Sequence, residues 1–447
     1  MSSLGWLGIL RLGLVQSSLG AIVVLTTSTL NRVMVVELAL PALVPGVLVA
    51  LHHALQMLRP RFGYGSDVGG RRTPWIVGGM ATLALGGFLA ALATAWAATS
   101  PGPGLALATL AFAMIGIGVG AAGTSLLVLL AKQVTPERRA PAATIVWVMM
   151  IAGFVVTAGL AGHFLDPYSP GRLVMVTGTV ACIAFAISLV AVWGVERDLE
   201  AGTGNGAGHA ARLPFREALA QVWSEAEARR FTIFVFVSML AYSAQDLILE
   251  PFAGLVFGLT PGESTTLSAI QNSGVLLGMV LVGVTAGWRR DRRAGSLRAW
   301  TIGGCVASGV ALLALAAAGY VGPAWPLRPS VFLLGVANGA FSVAAIGSMM
   351  ALVGAGRASR EGVRMGLWGA SQAIAFAAGG VIGTAAVDLM RLLLGSPLAA
   401  YAFVFALEGL AFFWAARLAT RVGAMEMREG APQLLPPPRL AAESSTR

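Results

Sequence analysis

Between two apolar runs, Pro41–Leu58 and Pro74–Trp96, the chain reads GYGSDVGGRR, Gly63 to Arg72. Gly63 and Gly70 permit tight backbone turns. Asp67 is placed to accept hydrogen bonds from an Arg or a helix N-terminus, and Arg71 and Arg72 supply donors. The apolar runs on either side read as membrane spans joined by this short charged turn. Composition agrees: at 447 residues, 57% hydrophobic and 11% charged, with a mean hydropathy of +0.79, there are too few polar groups to clothe a soluble domain.

A span needs about 20 apolar residues, and about twelve such stretches are legible. They lie near Trp6–Asn31, Pro41–Leu58, Pro74–Trp96, Leu105–Leu130, Ala142–Ala161, Leu173–Gly194, Phe231–Leu255, Thr266–Trp288, Ala299–Val321, Ser330–Gly354, Met365–Val387 and Pro397–Ala416. The first is too long, and too closely followed by the second, to be a cleavable signal. With the N-terminus cytoplasmic, all but four of the 30 basic residues (Arg32, Arg172, Arg328 and Arg391) fall on the inner side. That is the positive-inside pattern, so the net charge of +10 reflects topology and anionic lipid rather than nucleic acid. An even number of spans puts both termini in the cytoplasm. Cys182 and Cys305 read as small packing residues and support no disulfide framework or metal site.

The longest polar connection divides the chain. Residues 1–195 form one six-span unit and 231–420 a second; 196–230 links them, and 421–447 is a Pro-rich tail expected to be disordered and cytoplasmic. Within the link, Ala201–Arg212 is Gly-rich and flexible, and the segment from Pro214 reads as an amphipathic surface helix with Phe215, Leu219, Val222 and Trp223 on one face. The halves repeat each other weakly. TLNRVMVVELALPALVPG and AQDLILEPFAGLVFGLTPG share a polar pair, a Glu and a later Pro-Gly, and Thr135–Trp147 and Arg357–Trp368 each set an Arg-rich turn before a span. Such repeats predict an all-α membrane protein of two six-helix bundles around a midplane cleft.

GYGSDVGGRR matches the G-x-x-x-D-x-x-G-R-R pattern between helices two and three of the major facilitator superfamily, which the chain thus resembles. Gly63, Asp67, Gly70, Arg71 and Arg72 then form an inner latch between bundles. The second-half loop, Gly283–Arg293, has Gly287 where the Asp should fall. Together with Leu25–Pro41 and Ser243–Thr265, Gly63–Ile76 resembles the PucC/LhaA, or bacteriochlorophyll delivery, family from about Leu10 to Ala416. The resemblance implies an inner (intracytoplasmic) membrane protein that assembles light-harvesting complexes. It implies bacteriochlorophyll as carried ligand, and membrane lipid, antenna polypeptides or bacteriochlorophyll biosynthesis enzymes as partners. It implies no enzymatic chemistry. The RRTPWI loop and short N-terminus lean toward members linked to the last biosynthetic steps.

Ionisable groups in lipid default to function or pairing. Asn31, Arg32 and Glu37 have counterparts in Gln245, Asp246 and Glu250, and Asp246 and Glu250 share a helix face. Two readings fit. In one, Arg32 pairs with Asp246 and the hydroxyls of Thr26 to Thr29 line a cleft or gate. In the other, Arg32 and Glu37 are headgroup anchors and the hydroxyls bond back to the preceding turn. His52 and His53, with Gln56 nearby, are candidate axial ligands for a tetrapyrrole metal, against the plainer reading of a hydrogen-bonded interfacial pair. His163, beside Asp166, reads as surface polar. The Gly-rich runs Gly116–Gly123 and Ala377–Gly383 read as helix-packing sites, Asn338 and Gln372 as interhelical hydrogen-bond formers, and Trp147, Trp223 and Trp368 as interfacial anchors.

No Walker phosphate loop, buried Arg in the fourth span, Gly-Pro antiporter signature or catalytic constellation is legible. The leading expectation is a pigment-binding assembly factor. A secondary transporter of a small amphipathic solute and a pigment-free antenna chaperone are the alternatives.

Overall fold

The computed structural model describes residues 4–59, 62, 71–135, 138–196, 223–288, 293–355 and 361–421. Gly63, Asp67 and Gly70 of the expected latch, the Gly-rich linker, the amphipathic segment from Pro214 up to Val222, residues 289–292 and the tail beyond Arg421 lie outside the described residues.

Every backbone N–H and C=O in a bilayer must be paired within the protein, so apolar runs of this length fold as helices. Among the described residues the long helices are α1 (Trp6–Glu37), α2 (Leu43–Leu55), α3 (Thr73–Ala97), α4 (Pro101–Gln133), α5 (Arg139–Leu165), α6 (Pro170–Val192), α7 (Ala226–Phe257), α8 (Pro261–Trp288), α9 (Arg293–Val321), α10 (Leu327–Ala355), α11 (Glu361–Leu394) and α12 (Pro397–Ala419). Eleven are long and apolar enough to cross a membrane, and α2, extended to Leu58 by a tight 3₁₀ turn, is the shorter twelfth. Local sequence sets several ends. Ser169 and Ser396 each cap a helix whose first residue is Pro, accepting from the N–H of Arg172 at 3.1 Å and Ala399 at 3.4 Å.

Two apolar cores result, one drawn mainly from α1–α6 and one from α7–α12. The bundles meet along three helix pairs, α1 with α7, α2 with α11 and α5 with α8. In the second bundle α8 and α10 approach closely, because Gly274 and Gly278 face the carbonyls of Phe332 and Val336 while Gly335 and Gly339 face those of Gln271 and Val275. The Gly-rich runs read from sequence do the same: Gly116 lies against the His52 carbonyl, Gly118 against α3, and Gly379, Gly380 and Gly383 against α7. Asn338 accepts from the Ser308 hydroxyl at 2.8 Å, joining α9 to α10. Trp147 and Trp223 are exposed. Trp368, expected as an interfacial anchor, is instead 1% exposed, packed edge-on to Phe231 at 4.8 Å. Its large ring gains more by filling the gap between α7 and α11 than by reaching the interface.

A Cβ at Gly278 would stand 2.2 Å from the Val336 carbonyl oxygen, whereas one at Gly303 meets nothing within 4 Å. Gly278→Leu is expected to cost at least about 1–3 kcal/mol through forced separation of α8 and α10. A thermal melt in detergent checks this, with Gly303→Ala expected to leave the midpoint unchanged.

Candidate functional site

The hydroxyl-rich end of α1 divides its bonds between its own helix and the other bundle. Thr26 Oγ1 bonds the carbonyls of Ile22 (3.2 Å) and Val23 (2.9 Å), and Thr27 Oγ1 bonds Val23 at 2.9 Å. The helix takes wider π-type turns at Leu25–Thr29 and Val33–Glu37. Ser28 and Thr29 instead cross to α8, with Ser28 Oγ 3.3 Å from Ser268 Oγ and Thr29 Oγ1 3.0 Å from Thr265 Oγ1.

Asn31 answers a defect in α7. Pro251 lies inside that helix and has no N–H, which leaves the carbonyl of Leu247, four residues earlier, without its helical donor. Asn31 Nδ2 donates to that carbonyl across the bundle interface. One turn on, buried Glu250 accepts from Ser268 Oγ, and among the described residues its second oxygen has no hydrogen-bond partner, nor does either amide atom of buried Gln245.

Arg32 is 2% exposed. Its guanidinium donates to Glu37 on its own helix and to the Leu259 carbonyl at 2.6 Å, just beyond α7. The expected Arg32–Asp246 pair therefore does not form. Asp246 sits three turns of α7 away from Leu259, half-buried and with no hydrogen bond or ion pair to a described residue, while the wide turn Val33–Glu37 brings Glu37 back over Arg32. Two glycines make room. A side chain at Gly254 would come within 3.1 Å of Arg32 Nη2, and Gly258, in the left-handed region at φ 70°, ends α7 so that Leu259 turns its carbonyl inward. A cleft of about 680 Å³ opens here, lined by Arg32, Glu37, Asp166, Tyr168, Leu259 and Glu263 among others. Burial and the nearby Glu37 carboxylate raise the Tyr168 pKa, with Arg32 opposing, so the phenol stays neutral.

Two carboxylates not read from sequence as site residues close this end, the one away from the chain termini. Asp166, after α5, accepts from Thr260 Oγ1 at 2.7 Å and from the Gly262 N–H at 3.3 Å, at the N-terminus of α8. Asp388, on α11, accepts from the N–H groups of Ala42 (3.0 Å) and Leu43 (2.8 Å), at the N-terminus of α2. Each bundle thus offers one carboxylate to a helix dipole of the other, in a two-fold related arrangement. The close approaches beneath follow the same relation: Gly262 stands against the Gly162 carbonyl and Gly46 against Thr384. The signal was an Asp closing each of two small-residue spans, which is too short to separate from an ordinary helix end. His163, exposed as expected, is not part of this contact.

At the other end, Arg71 is exposed and Arg72 buried. Glu196, after α6, accepts from the N–H groups of Arg72 (2.6 Å) and Thr73 (2.8 Å) and caps α3 within the first bundle.

The histidines occupy two environments. Arg59 donates to Gln56 Oε1, which orients the amide so that its Nε2 donates to His52 Nε2 at 3.0 Å. His52 is 1% exposed, wedged against α4 at Gly116, and that lone pair is already used. His53 is half-buried on the α2–α11 seam with its ring 5.2 Å from Phe376 of the other bundle. Its Nδ1 is 3.5 Å from the Gln56 amide, too far to hold a tautomer, and its Nε2 bonds no described residue.

Two six-helix bundles that meet along these three helix pairs, with polar groups concentrated at the seam, define a membrane protein of the major facilitator fold. Solved structures share it at low identity. A peptide transporter POT in complex with alafosfalin superposes with a TM-score of 0.66 at 14% identity, over 94% of this chain and 97% of that one. The nucleoside transporter NupG gives 0.66 at 12%, over 94% and 99%. Within that fold the chain belongs to the PUCC protein family, whose model matches residues 29–427. It is 53% identical over 422 residues to the "Bacteriochlorophyll synthase 44.5 kDa chain" of Rhodobacter capsulatus, covering 94% of this chain and 96% of that one. It is 31% identical over 419 residues to "Protein PucC" of Cereibacter sphaeroides, covering 90% and 88%. The chain is a photosynthesis-related, multi-pass membrane protein.

Asn31→Leu should cost about 1–3 kcal/mol by orphaning the Leu247 carbonyl. In a Pro251→Ala background, which returns an N–H to that carbonyl, the same change should cost measurably less, and a double-mutant cycle of detergent melts reads the difference. Spin labels at Gly171→Cys and Arg328→Cys, with Cys182 and Cys305 replaced by Ala, report the two aspartate caps. Combining Asp166→Asn with Asp388→Asn should add a longer inter-label distance to the pulsed-resonance distribution.

Proposed function

We propose that the protein carries bacteriochlorophyll within the photosynthetic inner membrane, taking it from the synthesis machinery or passing it to antenna polypeptides, without itself catalysing a reaction. The observation that carries this reading is the conjunction of a two-bundle carrier fold with 53% identity, along nearly the whole chain, to a relative named as a bacteriochlorophyll synthase chain. A non-enzymatic partner that receives or presents pigment accounts for both. The charge asymmetry of the sequence supports cytoplasmic termini; on that orientation the end closed by Asp166 and Asp388 faces outward, and an opening between bundles would face the cytoplasm or the lipid.

The neighbours of known structure favour one alternative, solute transport, through fold alone. An absorption spectrum separates the readings. The tagged protein, purified in mild detergent from a pigment-producing host, should retain bacteriochlorophyll absorbance that an unrelated tagged transporter prepared alongside does not. A colourless preparation that brings antenna polypeptides with it would replace the carrier by a pigment-free chaperone. A preparation lacking both would favour the solute transporter.

A further inference from the structure

Where α1 crosses α7 and α8, oxygen atoms from both bundles collect around one carboxylate. Glu250 of α7 is 1% exposed. One of its oxygens accepts from Ser268 Oγ of α8, which lies 3.3 Å from Ser28 Oγ of α1. The other is buried without a hydrogen bond to a described residue, and so is Asn31 Oδ1. These two leftover acceptors lie at one level of the seam. The Leu247 carbonyl that accepts from Asn31 Nδ2 points along α7 toward position 251, which sets the Asn31 amide beside Glu250. The charges around them do not balance. Arg32 faces Glu250 from α1, but its Nη atoms are committed to Glu37 and the Leu259 carbonyl, and its Nε lies against Gly254, one turn further out. Asp246, one turn inward on α7, adds a second carboxylate, while α8 contributes the Ser268 hydroxyl.

A carboxylate taken out of water must be paired or coordinated. With Arg32 and Glu37 cancelling each other, the unbalanced atoms beside Glu250 are oxygens, so what they call for is positive, and in a closed seam it is small. We infer that Glu250, Asn31 Oδ1 and the hydroxyls of Ser28 and Ser268 bind a sodium ion. The donors are all oxygens, the type a hard cation takes. One carboxylate among neutral oxygens, with a guanidinium a turn away, suits a single positive charge and falls short of the carboxylates that calcium draws on. The helices are irregular here too: α1 takes wide turns on either side of Leu30–Arg32, and Pro251 interrupts the bonding of α7. Broken helices at a bundle seam are where membrane carriers place coupling ions. Ser28 and Asn31 belong to one bundle, Glu250 and Ser268 to the other, so the ion favours the arrangement in which the Asp166 and Asp388 caps are closed. Parting the bundles withdraws the two α1 ligands, admits water to Glu250 and releases the ion. Opening of this end is thereby tied to sodium, whatever the cargo. The inference does not rest on the pigment reading, and its failure leaves that reading in place.

The test is a thermal melt of the full-length protein in lipid nanodiscs, titrated with sodium chloride against potassium chloride and choline chloride at matched ionic strength and pH. Sodium alone should raise the wild-type midpoint, and the rise should saturate. Glu250→Gln removes the charge with little change of shape and should abolish the sodium response. Ser28→Ala should raise the half-saturating sodium concentration about tenfold by deleting one oxygen from the first bundle. Asp246→Asn, outside the ligand set, should keep a saturable response. With spin labels at Gly171→Cys and Arg328→Cys and the native cysteines replaced by Ala, sodium should narrow the distance distribution toward its short component in the wild type and leave it unchanged in Glu250→Gln. Should Glu250→Gln elute as aggregate, Glu250→Asp, which keeps the charge and draws the oxygens back, should raise the half-saturating concentration instead. A wild-type midpoint that cannot tell sodium from potassium or choline overturns the site. So does a sodium response that survives Glu250→Gln. If acidification in choline chloride raises the midpoint, sodium does not, and Glu250→Gln removes the effect, the species that neutralises Glu250 is a proton and the sodium site is wrong.

Discussion

A guanidinium in a low-dielectric interior must be neutralised and hydrogen-bonded, and much of the bundle interface is arranged around meeting that demand for Arg32. The wide turn of α1 folds Glu37 back over it, Gly254 leaves out a side chain where it would collide, and Gly258 ends α7 so that the Leu259 carbonyl faces it. These adjustments fall on both bundles. Separating the bundles breaks the Leu259 contact but not the Glu37 pair, so Arg32 stays neutralised while the interface opens. A pair with Asp246 would lack that property, because opening would strand the charge.

Asn31 and Pro251 show the same economy in backbone terms. A proline in a membrane helix leaves a carbonyl with no water to satisfy it, and the protein supplies the missing donor from the opposite bundle. Nearby, one oxygen of Glu250 and both amide atoms of Gln245 lack a hydrogen bond to a described residue, a polar seam that is costly in a static structure and useful in one that rearranges. At the far end, two carboxylate caps related by the internal two-fold close the seam with hydrogen bonds to backbone N–H groups rather than with ion pairs. Such caps need no matching cation on the opposite bundle and exchange readily for water when the ends part.

Much of this was legible in the chain. Each of the twelve apolar runs holds a helix, eleven of them long enough to span, because in lipid the length and composition of a run leave it no other fold. Gly-rich runs marked close helix contacts. The family resemblance rested on three short stretches and extends over the matched region. Less legible was partner choice. The polar residues Asn31, Arg32, Glu37, Gln245, Asp246 and Glu250 were visible as a group, yet spacing could not say that Arg32 turns to Glu37, or that Asn31 serves a carbonyl two hundred residues away. The histidines were visible as a pair, and spacing along α2 could not tell the buried one from the one on the seam.

The sequence by itself determined a lipid-embedded, two-bundle architecture and the family, since hydropathy, charge asymmetry and internal repetition are properties of the chain read in order. Only the tertiary structure decided which charges pair, which carboxylates cap which helices, and which histidine faces the other bundle. Those outcomes depend on rotation of each helix about its axis and on approaches of a few ångströms between residues distant in sequence, and packing sets both.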